Sequence, residues 1–165
     1  MAGMDHLDRI LAQWRRERPD LEVAPMGLIG RVKRLNHALT AEMEKTWARH
    51  GLNFASFDVL ATLRRADPPH RLSPGDLIAS TLVTSGTMTH RIDQLVKAGW
   101  VERIPNPEDG RGFLIALTDA GFELIDAAVT DHVATQTRLV AGLPKRDRAA
   151  LDGLLKTFLA TLDDG

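Results

Sequence analysis

The stretch Thr84-Ser85-Gly86-Thr87-Met88-Thr89-His90-Arg91-Ile92-Asp93-Gln94-Leu95-Val96-Lys97-Ala98-Gly99-Trp100-Val101-Glu102-Arg103 decides how this chain is read. At helical spacing, Met88, Ile92, Leu95 and Val96 share one narrow apolar face, while Gly86, Thr87, His90, Gln94 and Lys97 cluster opposite. The pattern predicts a helix from near Thr84 to Ala98 that packs by one side. The outward hydroxyls, imidazole, amide and ammonium match the donors and acceptors on base edges, which suits the major groove of DNA. An ordinary solvated surface helix would carry the same face, so the flanking segments must decide between the two.

Upstream, Ser73-Pro74-Gly75-Asp76 reads as a cap, a proline at the first helical position and an acid at the third. A short helix to about Ser80 follows, and Leu82-Val83 turns tightly into Thr84, itself a good cap. Two helices so joined form a helix-turn-helix, and the second is the reading helix. Thr84, Ser85, Thr87, Thr89, His90 and Gln94 are then the candidate DNA contacts. Downstream, Gly99 ends the helix, and Val101 to Ile104 and Phe113 to Leu117 read as two strands. The turn signals Asn106-Pro107 and Asp109-Gly110 lie between them, giving a β-hairpin with a polar tip. Arg111 at that tip suits a minor groove, with Asp109 orienting its guanidinium; a lone surface arginine is the alternative.

Helices fill the rest of the chain. Leu7, Ile10, Leu11 and Trp14 mark an amphipathic helix over residues 4 to 18 that ends at Arg18-Pro19. From Pro25 to about Arg49, Leu28, Val32, Leu35, Leu39, Met43 and Trp47 form one long stripe, which suggests a subunit interface as much as an internal core. Asn53 caps a helix whose Phe54, Phe57, Leu60 and Ala61 point inward, with Asp58 at the border of that face. Thr118 caps a helix with Phe122, Ile125, Val129, His132, Val133 and Val140 on one side. Pro144 starts a last helix striped with Leu151, Leu154, Leu155, Phe158, Leu159 and Leu162. Such hydrophobic terminal helices need a partner, and with the helix over residues 26 to 49 they are expected to form a shared dimer core.

Composition bounds these readings. At 165 residues, with 44% hydrophobic and 26% charged positions, the chain suits one compact domain with helical extensions. No apolar run spans a bilayer and the first eight residues resemble no secretory signal, so a cytoplasmic protein without a membrane partner is expected. With no cysteine and six scattered histidines, neither a disulfide nor a metal site is expected, and nothing calls for a cofactor. No nucleophile, base and orienting acid fall into an enzyme-like arrangement. The net charge of -1 means that any DNA affinity comes from local charge. Even between Thr84 and Leu117, the basic Arg91, Lys97, Arg103 and Arg111 are matched by Asp93, Glu102, Glu108 and Asp109.

Several segments together resemble the MarR family of winged-helix transcription regulators. They are Ser73-Pro74-Gly75-Asp76-Leu77, Thr87-Met88-Thr89-His90-Arg91-Ile92, Gly99-Trp100-Val101-Glu102-Arg103, and Asp109-Gly110-Arg111 running into Leu117-Thr118. The resemblance implies a mainly α fold: a winged helix-turn-helix with a two-stranded β-hairpin wing and a helical dimerisation region. Residues 1–52 would hold the extra and scaffold helices, 53–118 the DNA-binding region and 119–165 the C-terminal dimerisation helices. It further implies a homodimer that sets two reading helices about 34 Å apart on a pseudo-palindromic double-stranded operator, acting as a repressor.

Gln13-Trp14-Arg15-Arg16, Arg18-Pro19-Asp20-Leu21 and Pro25-Met26-Gly27 are most similar to the PecS-type, urate-responsive subgroup, which adds a first helix. By that resemblance, Trp14, Asp58, Arg91 and Arg103 would form the effector site. Two guanidinium groups offer planar, bidentate donors to an oxygen-rich anion such as urate, and an indole can wall off its ring. Arg91 sits between the packed and reading sides of its helix, where Asp58 can hold it in the DNA-competent state. An anion would then compete for Arg91 and shift helix and wing together. The alternatives are a tricarboxylate effector, a partner protein, or a pH response through His37 or His132.

Overall fold

The computed structural model describes residues 3–81, 88–107 and 112–163. The chain divides into two compact units, Met1–Glu42 and Met43–Gly165, and one long helix runs through the division.

In the first unit, helix α1 (His6–Glu17) opens on a reciprocal cap. Asp5 Oδ1 accepts from the Asp8 N–H and Asp8 Oδ2 accepts from the Asp5 N–H, both at 2.9 Å. Its buried face is Leu7 and Leu11. These leucines meet the first turns of α2 (Ala24–Arg49) where it carries glycine. A Cβ at Gly27 would lie 2.7 Å from Leu11 Cδ1, and one at Gly30 2.6 Å from Leu7 Cδ1, so hydrogen at both positions is what lets the helices close. Arg31 clamps the same seam, with Nε 2.9 Å from Asp5 Oδ2 and Nη2 2.6 Å from Asp8 Oδ1. That guanidinium is the main reason the Asp5 carboxyl is held below its ordinary pKa.

The second unit is built around α3 (Phe54–Arg65), whose N-cap Asn53 accepts from the Ser56 N–H at 2.9 Å. Val59, Leu60 and Leu63 on this helix are fully buried. Around it come β1 (Arg71–Leu72), α4 (Pro74–Ser80), α5 (Met88–Lys97), β2 (Val101–Pro105), β3 (Phe113–Leu117), α6 (Asp119–Val140) and α7 (Lys145–Asp163). Met88, Ile92, Leu95, Val101, Ile115 and Ile125 carry the core from α5 through the hairpin to α6. The strands pair antiparallel in the order β1-β3-β2, with Arg103 opposite Ile115 and Arg71 opposite Ala116. The expected hairpin is thus present, joined by a third strand too short to leave a sequence pattern. The architecture is a mostly helical winged helix-turn-helix.

Some apolar residues find no cover within the chain. Phe54, expected inward, is half-exposed at the first position of α3, where it lies beside the Trp47 ring, the centroids 5.4 Å apart. Val133 and Val140 on α6 are also exposed, because the core covers that helix mainly at Ile125 and Ala128. Helix α7 buries none of its described residues, and Leu154 and Leu162 are 69% and 63% exposed. On α2, Leu28, Ile29, Val32 and Leu35 are exposed too. No helix among the described residues is long and apolar enough to cross a membrane.

Candidate nucleic-acid interface and effector site

Helix α4 begins as its sequence requires. Ser73 Oγ accepts from the Asp76 N–H at 3.1 Å and donates to Asp76 Oδ2 at 2.7 Å, with Pro74 in the first turn. Arg65 at the end of α3 donates to the Ser80 carbonyl and so ties the scaffold to the last turn of α4. Helix α5 then buries Met88, Ile92 and Leu95 and leaves Thr89, His90, Gln94 and Lys97 exposed together. The Gln94 side-chain amide donates to His90 Nε2 at 3.0 Å, which ties two candidate contacts to each other. Thr84, Ser85 and Thr87 before this helix, and Asp109 and Arg111 at the hairpin tip, lie outside the described residues.

The exit from α5 is closely specified. Gly99, at φ +77°, lets the Trp100 N–H reach the Leu95 carbonyl (3.1 Å) and its own N–H the Val96 carbonyl (3.0 Å), the paired bonds of a Schellman motif. Thr118, the N-cap of α6, donates through Oγ1 to the Gly99 carbonyl (2.7 Å) and through its backbone N–H to the Trp100 carbonyl (3.2 Å). The first turn of α6 presses so closely here that a Cβ at Gly121 would sit 1.8 Å from the Trp100 oxygen. Reading helix, wing root and α6 therefore meet through backbone contacts with no room between them.

Of the four candidate effector residues, three belong to this second unit. Asp58 is only 5% exposed on α3. Arg91 is half-buried on α5, and its Nη1 is buried with no hydrogen-bond partner, so that nitrogen does not pair with Asp58. Arg103 on β2 forms an ion pair through Nη2 with Asp93 of α5, and its guanidinium lies over the Phe113 ring, 5.4 Å from the centroid. Trp14 belongs to the first unit, where it is 41% exposed on α1.

Sequence reasoning passed over Asp93 as one of several balancing acids. Its partner stands ten residues away across a helix end and a turn. The usable signal was an acid on the exposed side of a helix followed, past a helix-ending glycine, by a basic residue on the next strand.

A second cluster lies where the end of α2 meets α3 and α6. Trp47 Nε1 donates to His132 Nδ1 at 3.2 Å, and the imidazole lies 4.7 Å from the Phe57 ring by centroid. Burial pushes the His132 pKa down, and its role as acceptor also requires an unprotonated Nδ1. His37, by contrast, is exposed on α2. Next to His132, a cavity of 460 Å³ opens between α3 and α6. Phe57, Ala61 and Val129 form its apolar side, with Arg64 and Asp126 at its border. None of the four candidate effector residues lines it.

Comparison with known proteins bears on this geometry. The MarR family pattern matches residues 50–112, from the start of the helix-turn-helix scaffold to the wing. Over 155 residues the chain is 36% identical to the HTH-type transcriptional regulator PecS of Dickeya dadantii (strain 3937), covering 94% of this chain and 93% of that protein. The apo crystal structure of wild-type MarR from Escherichia coli is similar with a TM-score of 0.66 at 29% identity, covering 84% of this chain and 99% of that one. A mutant MarR from Escherichia coli, complexed with operator DNA, matches with a TM-score of 0.71 at 29% identity over 83% of this chain and 95% of that one.

Proposed function

The chain belongs to the MarR family of DNA-binding transcription regulators, and from that premise we propose that it is a repressor whose hold on its operator is loosened by a small planar anion, urate or a related purine. Residues 53–118 form the DNA-binding region. Thr84, Ser85, Thr87, Thr89, His90 and Gln94 read the major groove, and Arg111 of the wing reaches the minor groove with Asp109 orienting its guanidinium. A homodimer engages a pseudo-palindromic site. The exposed leucines of α7 and the exposed stripe of α2 support that assembly, because faces so apolar are unfavourable in water.

The observation that carries the effector reading is the buried, unpartnered Nη1 of Arg91 on the reading helix. Leaving such a donor unsatisfied costs about 1–3 kcal/mol, and an anion would supply the missing acceptor. Arg103 would supply the second guanidinium, Asp58 the carboxylate that the anion repels, and Trp14 the ring that walls it. The coupling this asks for is modest: about 1–3 kcal/mol between the sites gives a 5- to 150-fold loss of operator affinity.

The test is a mobility-shift titration on a duplex selected by the protein from a random pool. Urate is expected to release the operator, and Arg91→Ala and Asp58→Asn to blunt release while leaving DNA binding in place. Undiminished release in both variants would overturn the site. Release by citrate but not urate would assign a tricarboxylate effector. A second reading, release on acidification, is favoured by the Trp47–His132 hydrogen bond, which a protonated Nδ1 cannot accept. It predicts loss of operator binding on acidification without any ligand.

A further inference from the structure

We propose that Asp93 is the positioning residue of this regulator: it holds Arg103 on α5 in the DNA-competent state, and the effector acts by taking Arg103 from it. The inference rests on the effector reading and adds to it the contact that must break. Three elements meet at the Arg103 guanidinium, because it pairs with Asp93 of α5, belongs to β2, and lies over Phe113 of β3. It is a side-chain tie between reading helix and wing. Asp93 follows Arg91 by two residues, about 200° round the helix. Arg91 turns a buried nitrogen toward the fold, and Arg103 is held on the side that Asp93 occupies.

The charge of Asp93 is otherwise out of place. Its side chain is 55% exposed on a helix whose neighbouring exposed residues, Thr89, His90, Gln94 and Lys97, are those offered to DNA. A bare carboxylate there repels phosphate, and pairing with Arg103 neutralises it. The same pairing occupies donors that a planar anion needs for a bidentate contact. Asp93 and the effector are therefore rivals for one guanidinium. When the effector wins, the reading helix loses its tie to the wing and recovers an unpaired negative charge.

The two effects give a test by sign. Simple charge removal predicts that Asp93→Asn binds operator more tightly. The positioning role predicts weaker binding, by about three- to fivefold for each exposed pair and so about 10- to 25-fold for a dimer. Arg103→Gln is expected to weaken binding as well, and Asp93→Asn/Arg103→Gln to be no weaker than Arg103→Gln alone. Tighter or unchanged binding by Asp93→Asn, or additive losses in the double variant, would overturn the proposal.

Calorimetry of urate with the DNA-free proteins separates the two layers. Asp93→Asn is expected to bind urate three- to fivefold more tightly than the parent, and Arg103→Gln more weakly. If the parent binds urate and Asp93→Asn binds it with unchanged affinity, the rivalry is refuted while the effector reading stands. If the parent does not bind urate, the urate reading and the rivalry fall together, and the operator measurements still decide whether Asp93 holds the wing.

Discussion

Helix α5 buries Met88, Ile92 and Leu95 within its own chain, whereas α7, with a longer run of leucines, buries none of its described residues. By periodicity the two stripes are equivalent. The difference teaches that an amphipathic pattern states that a face must be covered and not by what. In α5 the cover is α3, α4 and the wing, and a helix fixed along one side keeps its other sides free. In α7 the leucines find no cover within the chain, and each one that a partner chain buries contributes about 1.5–3 kcal/mol.

The largest test breaks the α7 side of this contrast. Leu159→Asp with Leu162→Asp is expected to turn a dimer into a monomer in sedimentation velocity and to lower operator affinity more than 100-fold, while the far-ultraviolet circular dichroism stays helical. A variant that remains dimeric would show that α7 is not the shared face. Next comes the α5 side: Leu95→Ala removes a side chain from the core and should cost about 2–5 kcal/mol in urea unfolding. Its sedimentation should stay dimeric at low urea, so the two helices separate assembly from fold.

A smaller effect is expected at His132, which lies at the join of α2, α3 and α6. Its pKa is depressed in the folded protein, so the unfolded chain takes up a proton first as pH falls. Stability should therefore be independent of this group above about pH 7.5 and decline as pH drops below about 6.5, levelling off below the folded pKa. His132→Phe is expected to flatten that decline in thermal melts across pH; an unchanged slope would assign it to other groups.

Much of the fold was legible because local rules and packing agreed. Asn53, Ser73 and Thr118 cap the helices they announce, and Gly99 ends α5 where the apolar spacing stops. Strand β1 was not legible, since two residues carry no period and only the partner β3 defines them. Phe54 was misread for a related reason: the first position of a helix can satisfy its ring against a neighbour at the surface. At the site, residue types could be read from the chain, and pairings across elements could not. Arg103 was legible as a cation, but that it reaches Asp93 depends on how β2 returns past α5. Arg91 was legible as turned sideways, but not that one of its nitrogens lacks a partner.

The closeness of Gly121 to the Trp100 carbonyl has a mechanical consequence. A joint in which even a methyl group would collide at 1.8 Å cannot serve as a hinge. A wing that tilts must carry the first turn of α6 with it. Because α6 is one uninterrupted helix of 22 residues, a rod of about 33 Å, a small angle at the wing root becomes a displacement at its far end. A shift at the wing root would thereby be passed along α6, and a larger side chain at position 121 would disrupt this joint without altering any residue of α5.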